Sequence, residues 1–219
     1  MTRRPLLALA ASFVVAAGLV AAPATKTEGT THIDLKAHAN VKLKENLHSD
    51  RFPNNNLADL PAGKQKLGDV TFNIGESLLQ LGSAQVAGKP EKIEGIKVGR
   101  AAKKLYFLNA CGYAAEDDAV IGKYVINYDD KTSAEIEIVY GKDVVDWWAY
   151  PGKPAPTRGK VAWEGENEAS KGFEAKIKLY TLTWENPKPE KKIATIDFVA
   201  TKPEGPAAPF CVAITAEDK

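Results

Sequence analysis

The stretch Lys104–Trp148, KLYFLNACGYAAEDDAVIGKYVINYDDKTSAEIEIVYGKDVVDWW, decides the fold class. Leu105 to Ala110 is a short, almost wholly apolar run, as a buried strand is. Tyr124 to Tyr128 and Ala134 to Ile138 alternate apolar and polar residues around the turn Asp129-Asp130-Lys131-Thr132, the pattern of a half-buried hairpin. The hairpin runs on to Trp147-Trp148. Adjacent residues of a strand point to opposite faces, so at most one of these two indoles is expected at the surface.

The same signals continue on both sides. Toward the N-terminus, Val70 to Ile74 alternates, Leu78 to Leu81 is apolar, and Ile96 and Val98 flank Lys97, with glycines between the segments. Toward the C-terminus, Phe173 to Trp184 reads as the longest strand, with Phe173, Ala175, Ile177 and Leu179 on one face. It stops at Asn186-Pro187-Lys188-Pro189, where proline forbids continued pairing. Ile193 to Val199 and Phe210 to Thr215 close the series, linked by the turn-rich Pro203 to Pro209. Strands of about five residues with a turn signal every 8 to 12 residues point to an all-β antiparallel β-sandwich, in the form of a jelly roll. His32 to Leu35 is expected as a first strand, Val41, Leu43 and Leu47 as a short helical turn, and Arg51 to Asn56 (RFPNNN) as a loop.

The first 24 residues carry Arg3 and Arg4, an apolar segment from Leu6 to Val20 and Ala22-Pro23-Ala24, the layout of a secretory signal peptide. The apolar segment is about 15 residues, short of the roughly 20 that span a bilayer. The expected organisation is a signal peptide over 1–24, a linker over 25–31, and one β-sandwich domain over 32–219 with no transmembrane span. The expected location is outside the cytoplasm: secreted, periplasmic or at the cell surface. Removing Arg3 and Arg4 takes 29 basic against 28 acidic residues to 27 against 28. That balance argues against a nucleic-acid partner, whose attraction needs clustered basic surface. Cys111 and Cys211 both lie in apolar, strand-like contexts, and two readings stand open: a disulfide closing a loop of about 100 residues, or two buried thiols.

The patterns of catalysis are missing from the sequence. His32, His38 and His48 have no zinc-site spacing and read as solvated loop histidines. There is no GxSxG elbow, no phosphate-cradling glycine loop and no CxxC. Asp146, Glu164, Glu166 and Glu185 stand near tryptophans, as a glycoside hydrolase's carboxylates would, but with 28 acids in the chain such proximity is common. The chain is therefore read as no enzyme, with a hydrolase as a remote alternative. No cofactor is called for. Structural calcium is the one ion the acids would suit, through Glu116-Asp117-Asp118 or Asp129-Asp130.

Aromatic placement carries the binding argument. Trp147, Trp148, Tyr150 and Trp163 fall within about 17 residues, around the long proline-bearing region Ala149 to Gly172. Long irregular connections on a β scaffold often carry function. An aromatic face stacks on the C–H face of a sugar while neighbouring polar groups bond its hydroxyls. The ligand-binding residues expected are Trp148, Tyr150 and Trp163 as stacking groups, with Asp146 and Glu164 as hydroxyl partners. The competing reading makes these indoles caps on the sandwich core.

The order of LPAGKQKLGDVTFNIG (60–75), IKVGRAAKKLYFLNAC (96–111), GKYVINYDDKTSAEIEI (122–138) with VDWW (145–148), LYTLTWENPKPEKKIATIDF (179–198) and APFCVAIT (208–215) resembles exported bacterial β-sandwich proteins of the galactose-binding-like superfamily. The resemblance implies a jelly roll that binds a polysaccharide or glycan through loops at one end, and in some members a structural calcium. It supplies no binding motif that maps onto individual residues. The alternative from another class is a cell-envelope module that binds a protein partner.

Overall fold

The computed structural model describes residues 29–48 and 51–218; the expected signal peptide lies outside the described residues. The strands in chain order are β1 (Thr30–Ile33), β2 (Val41–Lys42), β3 (Gly63–Leu67), β4 (Val70–Ile74), β5 (Ser77–Gln80), β6 (Lys92–Ala101) and β7 (Lys104–Gly112). They continue with β8 (Val120–Tyr128), β9 (Ser133–Val139), β10 (Trp148–Ala149), β11 (Lys160–Gly165), β12 (Lys176–Glu185), β13 (Lys192–Ala200) and β14 (Ala208–Glu217), and a single turn of helix, α1 (Glu168–Lys171), precedes β12.

Two antiparallel sheets pack against each other. One has the order β10-β12-β7-β14-β5-β2, with β1 on β14 and β11 on β12; the other runs β6-β13-β8-β9; β3 and β4 form a separate hairpin. Hydrogen bonding thus establishes an all-β sandwich, whereas the jelly-roll winding does not follow from it. The expected hairpin is β8–β9, with Tyr124 opposite Ile136 and Ile126 opposite Ala134.

The apolar run at Leu105 is β7, central in the larger sheet. Its Phe107 lies flat on Tyr124 of β8, with ring centroids 4.0 Å apart, and Tyr124 lies on Phe198 of β13 at 4.8 Å, so three stacked rings join the sheets. β14 is buried along both faces from Ala208 to Ala216. Its remaining face is covered by the β3–β4 hairpin, which the Thr215 hydroxyl reaches by donating to the Thr71 carbonyl at 2.9 Å. A strand covered on both sides reads as a continuous apolar run because neither face needs polar residues.

Two expectations are corrected, and one open reading is decided. Val41 to Leu47 is no helical turn: Val41 and Lys42 pair with Leu78 and Ser77 of β5, and the Leu47 N–H donates to Asn55 O at 2.7 Å. Tertiary pairing overrides the weak helical spacing there. Phe173 is not in the long strand, which begins at Lys176. Asn167 and Ser170 form a reciprocal capping box that starts α1, and the chain then turns through Glu174 at φ +53°, leaving Phe173 48% exposed. Of the two readings of the cysteines, the structure takes the reduced one: both are free and fully buried. Cys111 stands opposite Pro209 and Cys211 opposite Asn109, so the β7–β14 register does not face them to each other.

The long connection after β9 is held by an ion pair between a buried carboxylate and an exposed guanidinium. Asp143, 1% exposed, accepts from the Val139 N–H at 2.8 Å and takes a bidentate grip from Arg158, Nε and Nη2 each at 2.6 Å. Gly159 packs beneath it so closely that a Cβ would stand 1.9 Å from Asp143 O. Truncating Arg158 leaves a buried carboxylate with one backbone donor. The Arg158 side chain is itself 61% exposed, so Arg158→Ala is expected to cost about 2 kcal/mol in urea unfolding, below the cost of breaking a fully buried pair.

Candidate functional site

Asp146 to Ala149 fills the gap between the end of β7 and the start of β12. The Trp147 N–H donates to Cys111 O at 2.8 Å, the Lys178 N–H donates to Trp147 O at 2.8 Å, and Trp148 pairs with Ile177. Strand alternation then sends the two indoles apart. Trp147 goes inward, 2% exposed, edge-on to Phe210 at 5.8 Å and to the His48 ring at 5.2 Å. Trp148 stays half-buried and joins an aromatic cluster that reaches the surface: Phe52 at 5.6 Å, Phe173 at 5.4 Å and Tyr150 at 6.4 Å.

What holds this cluster in place is Asn55, from the turn-rich loop expected at Arg51 to Asn56. The Asn55 Oδ1 atom accepts from Trp148 Nε1 at 3.0 Å and from Asn167 Nδ2 at 3.2 Å, while Asn55 Nδ2 donates to Leu47 O at 3.0 Å. One buried amide therefore ties the Trp148 indole to α1 and to the loop. The Arg51 guanidinium lies 5.4 Å from the Phe52 centroid, a cation already drawn to this aromatic surface.

Beneath the cluster is a cleft of about 160 Å³ walled by Phe52, Tyr113, Trp147, Trp148 and Tyr150. Its polar groups are His48, Asn55 and Asp146. Asp146 Oδ1 accepts from the Trp148 N–H at 3.0 Å; Oδ2 makes no hydrogen bond among the described residues. Burial raises its carboxyl from 3.8 to about 6, against the Trp148 N–H, which acts to lower it. Tyr113 is tied to the neighbouring loop by donating its hydroxyl to His48 O at 3.2 Å.

His48 corrects the reading of all three histidines as solvated. The residue as a whole is half-buried, but its imidazole is enclosed by Tyr113, Trp147 and Phe210, and Gly112 packs so near that a Cβ would stand 2.6 Å from the ring. Gln80 donates its amide to Leu81 O at 2.8 Å, which turns its Oε1 toward His48 Nε2 at 2.9 Å. Nε2 is therefore the protonated nitrogen, and Nδ1 is a buried acceptor without a partner among the described residues. Burial holds the ring neutral, with its pKa lowered to about 4.

Of the five residues expected in the site, the cleft brings together Asp146, Trp148 and Tyr150. Trp163 and Glu164 lie on β11, at the other edge of β12: Trp163 is half-buried across Gly165, and exposed Glu164 pairs with Lys178 at 3.1 Å. Phe52, Asn55, His48, Tyr113 and Phe173 enter the site without having been singled out in the sequence. The acids considered for calcium meet lysines: Asp118 pairs with Lys142 at 2.7 Å, and Asp130 with Lys191. Among the described residues no group of three or more His, Cys, Asp or Glu side chains is arranged to hold a metal ion, and no helix is long and apolar enough to cross a membrane.

Four hollows are roomier: about 450 Å³ beside β1 and about 530 Å³ under Leu57 to Ala62, lined by no tryptophan, tyrosine or phenylalanine, and about 420 Å³ at Trp184 and about 300 Å³ at Tyr106, lined by one such ring each. Size alone does not favour them; stacking chemistry favours the smaller cleft. Compared with known proteins, the chain matches no family model, and no curated protein is significantly similar to it.

Proposed function

We propose that the protein is an exported, non-catalytic carbohydrate-binding β-sandwich, wound as a jelly roll of the galactose-binding-like kind, that holds a polysaccharide on the aromatic cluster around Trp148. The observation that carries this reading is the cluster itself: Phe52, Trp148 and Phe173 in mutual ring contact and Tyr150 against Trp148, with Tyr150 40% and Phe173 48% exposed. Large apolar rings left open beside the Asp146 carboxylate offer a stacking face and a hydroxyl partner together. Trp163 and Glu164 extend the surface as a second patch on β11. The non-catalytic reading is supported by Asp146 being the one carboxylate that lines the cleft among the described residues, where paired-carboxylate hydrolysis uses two acids about 5 to 9.5 Å apart.

Electrophoresis through polysaccharide-loaded gels tests this reading. The wild type is expected to be retarded by at least one neutral polysaccharide. Tyr150→Ala, which removes an exposed ring without opening the core, is expected to weaken that retention about tenfold, and Trp148→Ala at least as much. Free migration of the wild type through every polysaccharide, or unchanged retention of both variants, would overturn the assignment.

A further inference from the structure

The cleft floor carries a largely buried carboxylate with no counter-ion among the described residues, a charge that holding an uncharged sugar does not require. Among the described residues Asp146 Oδ2 has no hydrogen bond, and no lysine or arginine lines the cleft. The titratable groups facing Asp146 are Cys111 from β7, Tyr140, Tyr150, and Tyr180 from β12, with His48 and Tyr113 on the cleft wall. Burial pushes the Cys111 thiol and the Tyr140, Tyr150 and Tyr180 phenols up, so each is neutral near pH 7, and His48 is held neutral by a pKa of about 4. Among the described residues nothing balances the charge that Asp146 carries above pH 6. A buried charge without a partner is costly, and a bound cation is what would relieve it.

We propose that this cleft binds a small organic cation with an N-methylated ammonium head, its charge against Asp146 and its methyl groups against the faces of Trp148, Tyr150, Tyr113 and Phe52. Aromatic faces carry negative quadrupoles that attract such a head, and a carboxylate beside them adds direct charge pairing. A primary ammonium suits the cleft less well because it brings three N–H donors. Asn55 Oδ1 already accepts from Trp148 and Asn167, and His48 Nδ1 is sealed from solvent, which leaves Asp146 as the one charged acceptor beside the Tyr113 and Tyr150 phenol oxygens. A methylated head needs no acceptors. Size agrees: about 160 Å³ is below the roughly 300 to 1,000 Å³ of sites for drug-sized ligands, so the cleft takes a head group and not a large molecule.

The inference goes beyond sugar binding, and either can fail alone, because polysaccharide retention is tested with uncharged polymers. Calorimetric titration of the protein with choline and with its neutral isostere 3,3-dimethyl-1-butanol is the experiment. At about pH 8 choline is expected to bind at least about tenfold more tightly than the isostere. The preference should disappear in Asp146→Asn. It should also fall about tenfold by about pH 5, where Asp146 is largely protonated while the probe's charge is fixed. Sedimentation with phosphatidylcholine vesicles separates the sources: the protein is expected to stay in solution, whereas sedimentation reversed by choline would assign the same ammonium chemistry to a lipid head group. Absence of saturable choline binding, equal binding of the isostere, or a preference that survives Asp146→Asn would overturn the proposal.

Discussion

Phe107→Ala is expected to lower the unfolding free energy by about 3 to 5 kcal/mol, measured by urea denaturation. Phe107 is fully buried on β7, and its ring is the larger sheet's contribution to the stack with Tyr124 and Phe198. Deleting it removes the transfer energy of the ring and leaves a cavity between two hydrogen-bonded sheets that cannot close over it cheaply. The neighbouring Tyr124→Phe is the contrasting case. The Tyr124 hydroxyl lies near Cys211 and Asn109 but makes no hydrogen bond among the described residues, so its burial is uncompensated. Removing it is expected to leave stability within about 1 kcal/mol of wild type or to raise it. A cost below about 1 kcal/mol for Phe107→Ala would show that the rings do not join the sheets.

The second large effect is a pair of opposed pH dependences at the cleft. The Asp146 carboxyl is raised from 3.8 to about 6. Above pH 6 the folded protein carries a charge that the unfolded chain solvates better, a penalty of up to about 3 kcal/mol. The penalty fades as pH falls from 6 toward 3.8 and is absent below. His48 is lowered from 6.5 to about 4. Below pH 6.5 the unfolded chain takes up a proton that the folded chain refuses until about pH 4, so up to about 3 kcal/mol of stability, intact above pH 6.5, is lost across that window. Between about pH 4 and 6 the two contributions run against each other and largely cancel.

Single variants separate them. Asp146→Asn keeps an oxygen for the Trp148 N–H and is expected to be about 2 to 3 kcal/mol more stable than wild type at pH 7 to 8, with no advantage near pH 4. His48→Gln is expected to lose the acid-side decline, so that its stability relative to wild type rises as pH falls from 6.5 to 4, whatever its cost at neutral pH. Urea midpoints at four or so pH values check both. A constant difference between either variant and wild type across that range would refute the corresponding pKa shift.

The strands were legible where periodicity alone decides them. β7, β8 and β9 follow from the Leu105 run and from alternation around Asp129 to Thr132, and alternation also foretold that Trp147 and Trp148 would part company, one buried and one toward the surface. Local chemistry misled where two signals overlapped. Phe173 extends the alternation of β12 backwards, but the Asn167–Ser170 capping box takes that segment into α1 and leaves the ring on the surface. Serine at the third helical position, in place of Glu or Gln, made the box hard to see.

The site was legible only in half. Asp146, Trp148 and Tyr150 are neighbours in sequence, so proximity comes free. Phe52 and Asn55 arrive from more than 90 residues upstream, and His48 from further still; no spacing announces that an RFPNNN loop will hang its amide on the Trp148 indole. Trp163, close in sequence, is carried to the far edge of β12 by strand pairing. Clustering along the chain pointed to the residues of the cleft and to one strand outside it, because the neighbours of a residue in a β-sheet are chosen by register.

The account turns on ligand binding at Trp148. Titration of tryptophan emission with whichever soluble polysaccharide the gels select is the most direct measurement of it. The expected result is a saturable change in the wild type that shrinks, in Trp148→Phe at unchanged fold, to the part reported by Trp147 on the cleft wall, since Trp163 and Trp184 lie outside the cleft. A saturable change of the same size in Trp148→Phe would place the ligand elsewhere and contradict the account.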